Sequence, residues 1–207
     1  MSLFITFEGG EGCGKSVQAK ALYDRLFQEG IPVILTYEPG GTLLGDEICR
    51  LLKWNADLDI TPLTELLLFN ASRSQLVDKL IKPNLKEGKA VICDRFADST
   101  TVYQGYGRGL DTKVVRMIND IAIQGTHPSL TILLDLPVDA GLIRRSNSRQ
   151  DRFENEDVTF HERVRQGYLK LAAEEPERFL VIDASQSKEA IADIIWQKVS
   201  RLLHRGA

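Results

Sequence analysis

Apolar residues recur along this chain in two alternating rhythms. Residues 3–7 (Leu3-Phe4-Ile5-Thr6-Phe7), 33–37, 90–94, 130–134 and 179–183 are short, nearly continuous apolar runs, as in strands buried on both faces. Between them the apolar positions fall at helical spacing. Residues 17–29 carry a stripe of Ala19, Leu22, Leu26 and Phe27, and residues 62 to about 81 carry Leu66, Phe69, Leu76 and Leu80. Helices are also predicted over about 43–52, 111–124, 138 to about 145, 159–174 and 187–204. Gly30-Ile31-Pro32 stops the first helix, and residues 57–62 form a break before the third. Thr61 is placed to cap that helix and Pro62 to open it, while Pro83 and Gly88 frame a turn. Strands alternating with helices predict an α/β fold: a five-stranded parallel sheet with helices on both faces. Right-handed crossovers then gather the loops beyond the carboxyl ends of the strands. At 207 residues, with no repeat or linker, the chain reads as one domain over 1–207 with a small lid at about 144–157.

The loop after the first strand is Gly9-Gly10-Glu11-Gly12-Cys13-Gly14-Lys15-Ser16, and a helix follows it. Strand, loop and helix in that order make G-x-x-x-x-G-K-[ST] a P-loop and the fold a three-layer P-loop NTPase type. The glycines let successive N–H groups turn toward one phosphate chain, and the helix N-terminus adds its positive field. Lys15 reaches the outer phosphates, and the Ser16 hydroxyl suits Mg²⁺. The expected ligand is a nucleoside triphosphate held with Mg²⁺.

Composition narrows the rest. A net charge of −3 argues against a nucleic-acid polymer or an anionic membrane as partner, and no apolar run is long enough to span a bilayer. Met1-Ser2 leads straight into the first strand, so a cytoplasmic location is expected. Cys13, Cys49 and Cys93 are odd in number and lack metal-ligand spacing, which reads as reduced thiols. His127, His161 and His204 are scattered, giving neither a zinc site nor an obvious general base. The chemistry falls to arginines, carboxylates and backbone.

Asp94-Arg95 closes the third strand, where a carboxylate stands near Mg²⁺ and an arginine can fork onto a phosphate. Phe69 and Arg73, four apart, share a helix face. They read either as a base-stacking ring with a fork for the base edge, or as a core ring beside a solvated charge. Thr100, Tyr103 and Gln104 line one face if their segment is helical, and an amide that donates and accepts suits a pyrimidine edge. Arg144, Arg145, Arg149 and Arg152 crowd a stretch rich in Ser, Asn and Gln. That stretch is either a solvated charge run or a phosphate-clamping lid.

Taken together these runs resemble thymidylate kinases over nearly the whole chain. They are Phe7-Glu8-Gly9 into the P-loop, Glu38-Pro39-Gly40-Gly41-Thr42, Glu65 to Phe69 with Ser72-Arg73, and Asp94-Arg95-Phe96. They continue with Ser99-Thr100, Tyr103-Gln104-Gly105-Tyr106-Gly107, Leu134 to Pro137, and Asp151-Arg152-Phe153-Glu154. The resemblance implies transfer of the ATP γ-phosphoryl group to dTMP, with Mg²⁺, in a cytosolic homodimer. It implies ATP on residues 9–16, including Gly10, Cys13 and Gly14, with Ser16 and Asp94, the latter through water, at the metal. It places Phe69 on thymine, Arg73 at the O4 edge, Thr100 and Gln104 on the base, and Tyr103 against the ribose 2′ position. Arg95 grips the acceptor phosphate, Glu38 belongs to the same pocket, and Glu11 lies near the acceptor sugar or the metal's water shell. Gly12 leaves the P-loop without an arginine, so Arg149 and Arg152 are the catalytic cations implied beside Lys15 and Arg95.

Two positions depart from the family pattern: Tyr37 precedes Glu38-Pro39 where an arginine is usual, and Cys49 stands where α-helical Arg is usual, with Arg50 next. One residue along a helix is a rotation of roughly 100°, so Arg50 is no substitute. Two rival readings are another P-loop nucleoside or nucleotide kinase, and a nucleotide-dependent switch. The switch needs Asp-x-x-Gly and Asn-Lys-x-Asp, and neither occurs.

Overall fold

The computed structural model of the protein describes residues 3–55, 58–145 and 151–204. Asp57 of the expected break, and Arg149 with the rest of 146–150 of the expected lid, lie outside them. The strands β1 (Phe4–Glu8), β2 (Val33–Tyr37), β3 (Ala90–Asp94), β4 (Leu130–Asp135) and β5 (Phe179–Asp183) form one parallel sheet in the order β2-β3-β1-β4-β5. The helices are α1 (Lys15–Gln28), α2 (Leu43–Trp54), α3 (Pro62–Leu76), α4 (Lys82–Lys86), α5 (Ala97–Thr100), α6 (Thr112–Ile123), α7 (Val138–Arg145), α8 (Val158–Glu174) and α9 (Lys188–His204). The five-stranded parallel sheet with helices on both faces is thus present as the apolar pattern indicated.

Strand alternation divides the core. Leu3, Ile5 and Phe7 face Leu22 and Leu26 of α1 and Ile191, Ile195 and Val199 of α9. Phe4, pointing the other way, joins Leu76, Val77, Ile81, Phe96 and Ile123. On that same side α8 brings Phe160, Val164, Tyr168 and Leu171 onto Leu133 of β4. The central strands β1, β3 and β4 are buried along nearly their whole length, which is why they read as continuous apolar runs.

Several boundaries differ from the sequence expectation. β1 runs one residue further, so Glu8 belongs to the strand, and α1 begins at Lys15 directly after a left-handed Gly14. Pro83 does not end a helix: α3 passes through a π turn (Val77–Ile81) into α4, with Pro83 in its first turn and the break delayed to Gly88. The widened turn displaces the carbonyl that a proline ring would otherwise meet in a regular helix. Residues 97–107 are helical throughout, as α5 and a π turn over Thr101–Gly107. Capping follows local chemistry: Thr61 caps α3 and Asp157 caps α8 through the N–H of Phe160.

Phe7 and Tyr37 both pair in register with Asp94, so the carboxyl ends of β1, β2 and β3 are level. The loops after all three strands open on one crevice.

Candidate active site

The P-loop wraps from the end of β1 into α1. Lys15 Nζ donates to the carbonyls of Gly9 (3.1 Å) and Gly10 (2.7 Å), so the ammonium lies against the loop's own backbone. Cys13 is 2 % exposed and its thiol donates to Gly10 O at 3.0 Å. Gly12 has φ +69°, and a Cβ there would run into the carbonyl of Gly141 on α7. Gly141 is reciprocally pressed against the carbonyl of Glu11. A side chain at either position would force loop and helix apart, which accounts for glycine rather than arginine at 12.

Ser16 Oγ donates to Asp94 Oδ2, while Asp94 Oδ1 is buried with no partner. A hydroxyl beside a carboxylate with an orphaned oxygen is a hard donor set that fits Mg²⁺. Among the described residues there is no group of three or more His, Cys, Asp or Glu arranged for a metal. An ion here would lean on substrate phosphates and water for its remaining ligands.

Arg95 is held in the left-handed region at φ +69°. Its N–H donates to Phe7 O (2.9 Å), and the next N–H, of Phe96, donates to Glu8 Oε1 (2.7 Å). These two clamps hold a conformation that costs a non-glycine residue of order 1 kcal/mol or more. The guanidinium reaches Glu11 Oε1 at 2.6 Å, Gly9 O and Ser99 Oγ at 3.3 Å, and lies 5.2 Å from the centre of the Tyr103 ring. Tyr103 OH donates to the same Glu11 oxygen at 2.6 Å. Burial would raise the Glu11 carboxyl, but Arg95, Lys15 and the Tyr103 hydroxyl overcome it and hold it well below the usual carboxylate range. Glu8 is the opposite case. Burial and the nearby Asp98 charge raise its carboxyl to about 7, although Ser99 Oγ (2.6 Å) and Tyr168 OH (2.9 Å) both donate to it.

Beside this centre lies a pocket that adjoins the P-loop cleft. Glu11, Glu38, Phe69, Arg73, Arg95, Thr100, Tyr103 and Gln104 all line it, together with Phe153 from the 144–157 stretch. Arg73 is 1 % exposed and each of its five N–H groups is engaged. Nε donates to Glu38 (2.8 Å), Nη1 to Asn70 (3.1 Å) and Asn119 (2.9 Å), and Nη2 to Phe96 O (3.2 Å) and Thr100 Oγ1 (2.7 Å). Arg73 is therefore a buried hub, neither the solvated charge nor a guanidinium with idle donors. Glu38 Oε1 is buried without a partner, and burial, only partly offset by Arg73, raises that carboxyl. Gln104 donates to Glu65 Oε1 at 2.8 Å. A carboxylate only accepts, so Glu65 fixes which way the Gln104 amide faces.

Glu65 is 0 % exposed and also takes Arg108 (3.1 Å) and Arg152. Arg152 further donates to Leu52 O at 3.1 Å and lies over the Phe153 ring, and it borders neither the acceptor-side pocket nor the P-loop cleft. Of the other three lid arginines, Arg144 donates to Ala184 O (3.2 Å) and borders the P-loop cleft, and Arg149 lies outside the described residues. Tyr37 donates to Asp46 (3.0 Å), which also holds the N–H of Gly41 (3.1 Å) and so ties the 38–42 loop to α2. Arg50 turns outward to Glu47. Sequence reasoning missed Glu8, Glu65, Lys53 and Asp151. Glu8, Glu65 and Asp151 stand in the runs that carry the family resemblance, Glu65 as the lone acid in the apolar run Leu63 to Phe69, whereas Lys53 left no trace.

A phosphate loop and a separate base-sized pocket meeting at one crevice define a P-loop nucleotide kinase. The family model for thymidylate kinase matches residues 7–195. A thymidylate kinase of Dehalococcoides mccartyi is 57 % identical over 203 residues, covering 98 % of both chains. One of Geobacter sulfurreducens is 47 % identical over 212 residues, covering 97 % of this chain and all of the relative. A crystal structure of thymidylate kinase from Ehrlichia chaffeensis superposes with TM-score 0.77 at 38 % identity, covering 94 % of this chain and 97 % of that one. The chain belongs to the thymidylate kinase family.

Proposed function

We propose that this family member transfers the γ-phosphoryl group of ATP to dTMP, giving dTDP and ADP, in one domain with a lid at about 144–157. The observation that carries the reading is the pocket: eight side chains from the loops and helices after β1, β2 and β3 surround it, and Glu11, Glu38 and Arg95 border both it and the P-loop cleft. Phe69 gives the base a face to stack on. Gln104, its N–H taken by Glu65, leaves its amide oxygen for a base N–H, and Thr100, accepting from Arg73, has its own O–H to donate to the O4 edge. Tyr103, pinned by Glu11 and lining the pocket, is the residue set against a ribose 2′-hydroxyl in this reading.

A phosphate oxygen is already a nucleophile, so no general base is needed. The residues' task is to align two anions and spread charge in the transition state. Lys15 leaves the loop carbonyls for the donor phosphates, Arg95 holds the acceptor phosphate, and Arg149 and Arg152 of the lid supply further charge. Ser16 and Asp94 would hold Mg²⁺, which would supply positive charge to offset that of the phosphates.

Two copies of the chain pair through the apolar face of α3 and α6, where Leu63, Leu67, Met117 and Ile121 are each more than half exposed. No helix among the described residues is long and apolar enough to cross a membrane. The reading is tested by incubating the protein with Mg²⁺–ATP and a panel of nucleosides and nucleoside monophosphates and identifying the products. ADP and dTDP from dTMP support it; ATP hydrolysis without acceptor dependence, or transfer to nucleosides only, overturns it.

A further inference from the structure

Five residues border both the base-sized pocket and the P-loop cleft: Glu11, Glu38, Lys53, Arg95 and Asp151. Any ligand spanning from one to the other passes between them. Two are cations. Arg95 is committed to Glu11 at 2.6 Å. Lys53 stands in the last turn of α2, its side chain 27 % exposed, with Nζ 3.3 Å from Asp151 Oδ2.

The two ends of that pair are fixed very differently. Asp151 is 6 % exposed, and its Oδ1 accepts the backbone N–H groups of Phe153 (2.9 Å) and Glu154 (3.1 Å), so the carboxylate is anchored without the lysine. The backbone of Lys53 is also held, because its carbonyl accepts the N–H of Arg152 at 3.3 Å and Leu52 O accepts Arg152 Nε. The ammonium, by contrast, makes one long ion pair among the described residues, on a flexible stem. Its charge is felt across the junction, contributing to the depressed carboxyl of Glu11. Arg50, the other cation on this stretch of α2, pairs with Glu47 on the exposed side.

A monophosphate brings up to two negative charges into a junction where, beyond the Glu38–Arg73 pair, the carboxylates of Glu11 and Asp151 already stand. One arginine shared with Glu11 does not balance that. We propose that Lys53 is the second cation for the acceptor phosphate, leaving Asp151 for a phosphate oxygen when the nucleotide enters. The inference rests on the reading of this pocket as the dTMP site. Lys53 is a substrate-binding residue here, acting in the ground state beside Arg95.

The test is binding of dTMP and of thymidine, measured by calorimetry without ATP, for wild type, Lys53→Met and Lys53→Arg. A charged hydrogen bond to phosphate corresponds to about a 10–100-fold change in affinity. Lys53→Met is expected to weaken dTMP by that factor and leave thymidine, which lacks the phosphate, unchanged; Lys53→Arg is expected to restore most of the dTMP affinity. Thymidine binding in the same variant reports an intact pocket. Equal losses for both ligands, no loss for either, or an arginine variant as weak as the methionine variant overturns the inference. A wild-type protein that does not bind dTMP overturns the function reading itself.

Discussion

Arg73→Met removes a buried charge whose five N–H groups are all engaged and keeps much of its apolar stem. In the structure Arg73 and Glu38 pair at 2.6 Å with side-chain exposures of 1 % and 3 %. Removing one member of such a pair strands the other's charge, at a cost of about 3–5 kcal/mol. Against a total stability of about 5–15 kcal/mol this is severe, equivalent to a fall in Tm of roughly 6–20 °C for a chain of this size. The sign with pH follows from Glu38. Burial already raises its carboxyl and Arg73 opposes that, so the variant leaves burial unopposed. The stability difference between variant and wild type is then smallest below the ordinary carboxylate range and grows as pH rises through the folded value of Glu38. Urea unfolding at pH 4.5 to 8 measures this, with Arg73→Met/Glu38→Gln recovering part of the loss because the stranded charge is gone. A single variant within about 1 kcal/mol of wild type, or a double variant no better than the single, would refute the reasoning.

Glu8→Gln is expected to flatten the pH dependence of stability. The Glu8 carboxyl is raised to about 7, so its contribution is full below its unfolded value near 4.5 and lost as pH rises through about 7; equal slopes of unfolding midpoint against pH in wild type and variant would contradict this. Arg149→Ala is expected to lower kcat by roughly 10²–10⁴ with the KM for dTMP little moved, the pattern of a cation used in the transition state. Arg152→Ala is expected to raise that KM as well, because it also strips Glu65 beneath Gln104 of a partner. Steady-state kinetics on both, and on the pair, separate the two; normal kcat in the double variant places the catalytic cation elsewhere.

The sheet was legible in the sequence because β1, β3 and β4 are buried on both faces and read as unbroken apolar runs. What escaped had a physical cause. Residues 97–107 carry Ser, Thr, Tyr and two glycines, poor helix formers, and their helix is held by packing against α6 and α8 rather than by propensity. Pro83 is a strong local stop, overridden by a π turn that no pattern announces. In the site, the P-loop and the Asp94-Arg95 pair were visible because their residues are contiguous. The network of Glu65 with Gln104, Arg108 and Arg152 joins three distant segments, and Lys53 meets Asp151 across nearly a hundred positions. Contacts of that kind exist only once the chain has folded. Arg73 was seen, but its role as the hub beneath the pocket required Glu38, Asn70, Asn119 and Thr100 to be placed around it.

The central claim is that this pocket selects dTMP as the phosphoryl acceptor, and competition between dTMP and uridine monophosphate for Mg²⁺–ATP tests it most directly. UMP lacks the 5-methyl group and carries the 2′-hydroxyl that we propose Tyr103 excludes. A missing methyl group in a fitted pocket is worth about 1–3 kcal/mol, a factor of about 10–200, and a buried clash adds to it. The expected kcat/KM ratio therefore favours dTMP by at least about tenfold, and by far more if both contacts act. Equal kcat/KM for the two acceptors would contradict the account.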